Sequence, residues 1–358
     1  DPLTANETAA AGFSLLRAKV EDLPVSAVIA QKADWHMLFW SAGVLGVMAL
    51  LLFGFLVPDV PASSADKFDP LGTLLLAVGL VTLLLPISKG STWGWTSSTT
   101  LSLFVVSVAV FAVFARWQFR MPAPIVDLRT TLRRPVLTTN IAAILVCFAM
   151  FAFGLVAPQA LELPTGTGYG LGQSMVQAGL WLAPGGLAMM LASPLAARVA
   201  ARRGPKFTLV CGSAIIAVAY LGAVWLLGSP PAVMVVNIVI SLGVGFAYSS
   251  LPALINAAVP VSETAAANGI NALARSLGTS ISSAVIGVVL ATMTIAYGGH
   301  TMPSLNGLRV ALLIAAGVAA LAAVIAMTIP RTDEPDESAL SDWAAEEAEL
   351  AGDPLIRG

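Results

Sequence analysis

The chain has 358 residues, of which 57% are hydrophobic and 11% are charged, and its formal net charge is −2. Soluble domains carry about 25% charged residues, so this composition excludes an ordinary soluble protein and indicates a chain that resides in a lipid bilayer. The basic residues are few and scattered, which excludes a nucleic-acid-binding surface.

The first predicted segment, residues 1–34, is the least apolar part before the tail. Charged and apolar residues are mixed between Glu7 and Ile29, which favours an amphipathic helix at the membrane surface over a membrane crossing. Residues 24–34 read like the end of a further helix. We therefore expect part of the protein to lie upstream of Asp1.

Nine apolar stretches follow, each bounded by charged residues, Pro or Gly. A spanning helix needs about 20 mainly apolar residues, so the pattern predicts an all-α membrane protein with about nine transmembrane helices. The predicted spans are 37–57, 70–87, 101–117, 136–158, 175–198, 207–227, 232–254, 272–297 and 308–329.

Basic residues at the span ends predict the orientation in the membrane. Nine of them flank two alternate connections, at 116–134 and 198–206, whereas the opposite connections carry only Lys89 and Arg309. Because basic residues concentrate on the cytoplasmic side, we expect an inner-membrane, multi-pass protein with a cytoplasmic C-terminus. Residues 331–358 hold nine acidic residues and are predicted to be a solvated cytoplasmic tail.

The predicted spans contain neutral polar side chains and no carboxylate near their centres. These polar side chains either line a hydrated cavity or form hydrogen bonds between helices. The cavity candidates are Asn140, Phe151, Gln159, Gln177, Trp181 and Tyr248. We found no catalytic motif, metal-ligand spacing or cofactor motif, so we expect a protein that is not an enzyme and has neither metal nor cofactor.

Helix breakers and small residues inside spans indicate bending or close packing. Pro184, Gly185 and Gly186 interrupt the fifth span, and Pro252 lies near the end of the seventh. Each Pro marks either a point of bending or a static kink. Gly278 is the first of two small residues four positions apart, a spacing that allows close contact between helices.

Several strings resemble the fourteen-span drug:proton antiporter branch of the major facilitator superfamily. They are DWHMLFW (Asp34 to Trp40), PQALELPTGTGYGLGQSMVQAGL (Pro158 to Leu180), AGLWLAPGG (Ala178 to Gly186), SPLAARVAARRGPK (Ser193 to Lys206) and NGINALARSLGTSISSAVIG (Asn268 to Gly287). The similarity runs from about Pro24 to Ile329, whereas residues 1–23 do not match.

The resemblance implies that these nine spans are the family's sixth to fourteenth. Residues 35–135 would then hold three spans, the end of the N-terminal half plus the extra central pair, and residues 136–330 the six-span C-terminal bundle. By the same resemblance we expect the rest of the N-terminal bundle, which in that family carries the proton-binding acidic residue, to be missing from this chain. We expect the complete protein to export hydrophobic or amphipathic drugs in exchange for protons, as an antibiotic-resistance transporter. The alternative is a non-transporting membrane scaffold, or a partner half that needs a separate N-terminal bundle.

Two further matches to the family concern basic residues. The superfamily's loop motif survives in its basic half, with Ala197 and Ala201 where a Gly and an Asp belong; it comprises Arg198, Arg202, Arg203, Gly204 and Lys206. These charges act either as a conformational gate or as cytoplasmic anchors. Arg275 matches the family's arginine in the eighth span, where it either snorkels to the surface or ties helices together.

Overall fold

The computed structural model describes residues 36–56, 69–121, 126, 128–260 and 263–330. The predicted amphipathic segment 7–29 and the acidic tail 331–358 lie outside the described residues. The described part is nearly all helical. Its helices are α1 (His36–Leu56), α2 (Pro70–Trp93), α3 (Ser98–Gln118), the single turn α4 (Leu128–Thr131), α5 (Arg134–Glu162), α6 (Met175–Arg203), α7 (Pro205–Leu226), α8 (Pro230–Asn256), α9 (Thr264–Thr292) and α10 (Leu305–Thr328).

The helices α2 and α3 form a pair that contacts the rest of the molecule through α9. Asp69, which is 1% exposed, caps α2 by accepting a hydrogen bond from the Gly72 backbone N–H at 2.8 Å. Its carboxylate also accepts hydrogen bonds from Trp117 Nε1 at 3.1 Å and from Gln118 Nε2 at 3.2 Å. One buried carboxylate therefore joins the start of α2 to the end of α3.

The six long helices α5 to α10 form one lobe with a common apolar core. The most extensive contacts join α8 to α6 and α7, α9 to α5, and α10 to α7 and α5. Alanines on α5 and α10 dominate the centre, where small side chains let helices approach closely in a membrane. Tyr220 of α7 is fully buried, and its hydroxyl donates a hydrogen bond to the Ala149 carbonyl of α5.

Glycines fix the closest approaches inside this lobe. A Cβ atom on Gly278 of α9 would lie 2.2 Å from the backbone oxygen of Ile144 on α5. Gly212 of α7 and Gly243 of α8 meet in the same way, each against the other's backbone oxygen. The predicted close packing at Gly278 thus corresponds to a direct backbone contact between α5 and α9.

A β-hairpin follows α9, where the sequence predicted continued helix. The strands β1 (Thr294–Tyr297) and β2 (His300–Pro303) pair antiparallel around Gly298 and Gly299, whose φ angles are +59° and +80°. Two consecutive residues with positive φ form the tight hairpin turn that glycine favours. The prediction of a span to residue 297 was wrong because Ile295, Ala296 and Tyr297 extend the apolar run without continuing the helix.

The described helices confirm an all-α membrane fold. Eight of them, α2, α3 and α5 to α10, are long and apolar enough to cross a bilayer. The first predicted span coincides with α1, where the described apolar segment Gly43–Phe55 is shorter than the other eight. The chain is a multi-pass membrane protein.

Candidate functional site

The lobe carries a concave apolar cavity of about 240 Å³ between α5, α6 and α8. Apolar side chains form most of its wall, and two methionines give it a soft, adaptable surface. Its lining residues are Met150, Phe153, Gly154, Leu182, Gly186, Met189, Asn237, Ile240, Ser241 and Val244. Such a surface suits a hydrophobic or amphipathic molecule better than a strongly polar one.

Two neutral polar side chains, Asn237 and Ser241, give this cavity its polarity. Asn237 Nδ2 donates a hydrogen bond to the Leu182 carbonyl at 2.7 Å and so connects α8 to α6. A Cβ atom on Gly185 would lie 2.2 Å from that same Nδ2, so only glycine leaves room for this contact. Gly186, one residue on, has open space around it and faces the cavity. Of the predicted breaker residues, Gly186 therefore lines the cavity and Gly185 packs against Asn237 of its wall.

Pro184 and Pro252 both lie inside continuous helices. Pro184 belongs to α6, which runs unbroken from Met175 to Arg203, and Pro252 lies in the last turns of α8. The structure thus places both prolines within helices, and which of them bends during function stays a prediction.

The structure brings two of the predicted cavity residues together with Arg275. Asn140 of α5 is 7% exposed and accepts a hydrogen bond at 2.9 Å from Asn271 of α9, which is fully buried. Arg275 Nη1 donates to Asn271 Oδ1 at 2.6 Å, and its guanidinium carbon lies 5.1 Å from the centre of the Tyr248 ring. These four side chains, which we call the arginine network, join α5, α8 and α9.

The other four predicted cavity residues lie outside the wall of the 240 Å³ cavity. Phe151 of α5 is 36% exposed. Gln177 completes a capping box with Ser174 at the start of α6. Trp181 Nε1 donates a hydrogen bond to Gln173 Oε1 at 3.1 Å.

The fourth residue, Gln159, lines two open grooves of about 550 and 520 Å³ at the C-terminal end of α5. Both grooves also contact Leu155, Thr301 and Pro303, so the β-hairpin forms part of their wall. The Tyr169 hydroxyl holds the hairpin by donating a hydrogen bond to the Pro303 carbonyl. Burial there raises the pKa of Tyr169 above its ordinary value.

The basic loop motif lies at the α6–α7 corner. Gly204, with φ +83°, makes this turn, and the side chains of Arg198, Arg202 and Arg203 are exposed. The Arg203 guanidinium lies 5.1 Å from the Phe207 ring centre. Within the described ranges, no carboxylate pairs with these residues, an arrangement that suits surface anchoring.

Sequence reasoning missed the Asp69 cluster, although a local signal was present. Asp immediately before Pro is a favoured helix start, since Asp caps the helix and Pro suits the first turn. The three carboxylates among the described residues, Asp69, Glu162 and Glu263, all lie at helix ends. In the same part of the chain, no three His, Cys, Asp or Glu side chains converge on a point where they could hold a metal ion.

The chain is similar to several known proteins. The sequence model described as "Major Facilitator Superfamily" matches residues 23–283. The "Multidrug resistance protein B homolog" of Mycobacterium tuberculosis is 31% identical over 51% of this chain and 33% of its own length. The "Uncharacterized transporter YebQ" of Escherichia coli is 30% identical over 86% of this chain and 65% of its own.

A third relative is the "Lincomycin resistance protein LmrB" of Listeria monocytogenes, 24% identical over 65% of this chain and 49% of its own length. The chain therefore spans between about one third and two thirds of the length of these curated relatives.

Proposed function

The chain belongs to the Major Facilitator Superfamily, and on this premise we propose that it is the C-terminal lobe and central helix pair of a fourteen-span drug:proton antiporter. The single observation that carries the proposal is the methionine-containing cavity of α5, α6 and α8. It gives a bilayer-embedded lobe an apolar wall against which an amphipathic substrate binds. Relatives named for multidrug and lincomycin resistance support drugs as the substrate class.

Transport in this proposal requires a second lobe, which the family's first five spans form together with α1. Substrate binds between two lobes near the middle of the membrane, and rocking of one lobe against the other exposes it to either side. The relatives' greater length supports this reading, in which the nine predicted spans are the sixth to fourteenth.

In this proposal, the residue that binds the coupled proton lies outside the described residues. A proton-carrying group of a transporter is usually a carboxylate inside the membrane. Asp69 accepts hydrogen bonds from neutral donors at a helix start, whereas Glu162 and Glu263 lie at the ends of α5 and α9. We propose an inner-membrane location with the α6–α7 loop and the C-terminus in the cytoplasm, because the exposed arginines cluster at that loop.

The cavity assignment is tested by photolabelling the purified chain in lipid nanodiscs with a neutral, benzophenone-bearing amphiphile. We expect labelling at Met150 and Met189, and we expect Gly186→Phe to abolish it by filling open space. Gly317→Phe is the matched control, because Gly317 of α10 also has open space around it but does not line the cavity. Equal labelling of both variants, or labelling elsewhere in the chain, would overturn the assignment.

A second candidate function is a partner half that acts only with a separately made N-terminal bundle. The helix-end positions of all three described carboxylates favour this reading, since the lobe would then borrow its coupling group. Co-purification with a co-expressed five-span bundle of a relative such as YebQ tests it. Failure of the two polypeptides to associate counts against it.

A further inference from the structure

Arg275 lies deeper in its helix than any other charged residue of the described helices. It follows the first residue of the 29-residue α9 by 11 positions, or roughly 16 Å along the helix axis. By contrast, Lys89, Arg198 and Arg309 each lie within about five residues of a helix end. A charge at that depth is costly unless it has a partner, and such residues commonly mark a binding site.

The partners that the structure gives Arg275 are all neutral. Its guanidinium donates a hydrogen bond to Asn271 Oδ1, lies over the face of Tyr248, and also interacts with the Tyr248 hydroxyl and the Cys147 thiol. A guanidinium has five N–H donors, so most of its donor capacity is not used in these contacts. Within the described ranges, no carboxylate lies within ion-pairing distance of Arg275.

The arginine network has a buried side and a partly exposed side. Asn140 and Asn271 are buried and hold the guanidinium through two consecutive hydrogen bonds of 2.9 and 2.6 Å. Arg275 and Tyr248 themselves are only partly buried. Asn271 therefore holds the guanidinium in place while part of the Arg275 side chain stays exposed.

The arginine network also adjoins the methionine-containing cavity. Tyr248 follows the cavity residue Val244 by four positions on α8, which places both on one helix face about 6 Å apart along the axis. A molecule whose apolar part occupies the cavity can therefore present its head group to Arg275.

We infer that Arg275 binds the anionic head group of an amphipathic molecule, a carboxylate, sulfonate or phosphate, whose apolar part occupies the cavity between α5, α6 and α8. Resting on the proposed function, this assigns anionic and zwitterionic amphiphiles, rather than lipophilic cations, as the preferred substrates. Guanidinium is the side chain best suited to two-point recognition of such oxyanions. The same chemistry fits a soluble amphiphile and an anionic lipid.

The test compares two benzophenone amphiphiles with the same tail, one ending in a carboxylate and the other in trimethylammonium. We measure the affinity of each by photolabelling of the full chain in phosphatidylcholine nanodiscs. We expect the wild-type chain to bind the carboxylate probe at least about tenfold more tightly. Arg275→Gln is expected to remove this preference by weakening only the carboxylate probe, whereas Arg275→Lys retains most of it.

Asn271→Asp is a second variant that preserves the packing. It places a carboxylate where Arg275 already contacts Asn271, so the arginine gains an ion-pair partner within the protein. The Asn140 side-chain amide can rotate so that its NH₂ group donates to this new carboxylate. We expect this variant to lose the anionic preference while remaining folded. Arg116→Gln, at an exposed site on α3, is the matched control and should change neither affinity.

Equal affinities for the two probes in the wild-type chain would overturn the inference. So would an Arg275→Gln variant that loses both probes equally, because that result indicates a purely structural arginine. Competition by phosphatidylglycerol in the wild-type chain, but not in Arg275→Gln, would support the anion site and identify lipid as an occupant. If the neutral probe labels Met150 and Met189 but the chain shows no preference between the two charged probes, the anion site alone is refuted. The proposed function is then unaffected.

Discussion

The contact between α5 and α9 at Gly278 gives the sharpest stability prediction. Gly278→Ala would place a Cβ atom 2.2 Å from the Ile144 carbonyl oxygen and 3.1 Å from Cys147 Cβ. The first distance is roughly 1 Å shorter than a carbon–oxygen contact in a packed interior allows. Since the obstructing atom belongs to backbone, the two helices must separate.

The cost follows from comparison with a second glycine on the same helix. Overpacking of this kind destabilises by about 1–3 kcal/mol. Replacing a helical glycine by alanine otherwise gains about 1 kcal/mol in helix propensity. Gly287 of α9 has open space around it, so Gly287→Ala receives only the gain. The two variants should therefore differ by about 1–3 kcal/mol, with Gly278→Ala the less stable.

The buried thiol of Cys147 provides the assay. Cys147 is fully buried beside Gly278, and Cys211 is removed by Cys211→Ala so that a single thiol reports. We expect Gly278→Ala to expose Cys147 to a maleimide at a lower temperature or denaturant concentration than Gly287→Ala. Identical labelling curves for the two variants would refute a backbone contact between α5 and α9 at this position.

Three further substitutions have defined expectations, each measured by denaturation of the purified protein. Asp69→Ala should destabilise by about 2–4 kcal/mol, because it removes a helix cap and leaves Gln118 Nε2 buried without its acceptor; wild-type stability would contradict the Asp69 cluster. Tyr220→Phe should cost about 1 kcal/mol by removing the bond to the Ala149 carbonyl, and a neutral effect would argue against that bond. Asn237→Ala should weaken neutral-probe labelling with a similarly small stability loss, and unchanged labelling would remove Asn237 from the cavity wall.

The positions of the spans were predictable because a bilayer allows few spanning structures. A helix satisfies its backbone internally, so an apolar run of sufficient length identifies it. The start of α9 was not predicted, since the helix begins at Thr264 rather than at residue 272. Asn268 and Asn271 make the start of α9 polar. Hydropathy assigned these two residues to a loop, although the helix pairs both within the protein.

The candidate site was predictable only in kind. A set of aromatic and neutral polar residues predicted a cavity, but which side chains line it depends on how α5, α6 and α8 pack. That information lies in long-range contacts, such as the one between Asn237 and Leu182, 55 residues apart. Asn140 and Tyr248 were selected for polarity and aromaticity, and the structure places both around Arg275.

The central proposal is that this chain is one lobe of a two-lobe exporter and that its described residues do not include the coupling group. It is tested most directly by reconstituting the purified chain into liposomes, imposing a pH gradient and following uptake of the fluorescent form of an amphiphile that the chain binds. The account predicts binding without gradient-driven accumulation. Accumulation above the external concentration that collapses when a protonophore is added would contradict it.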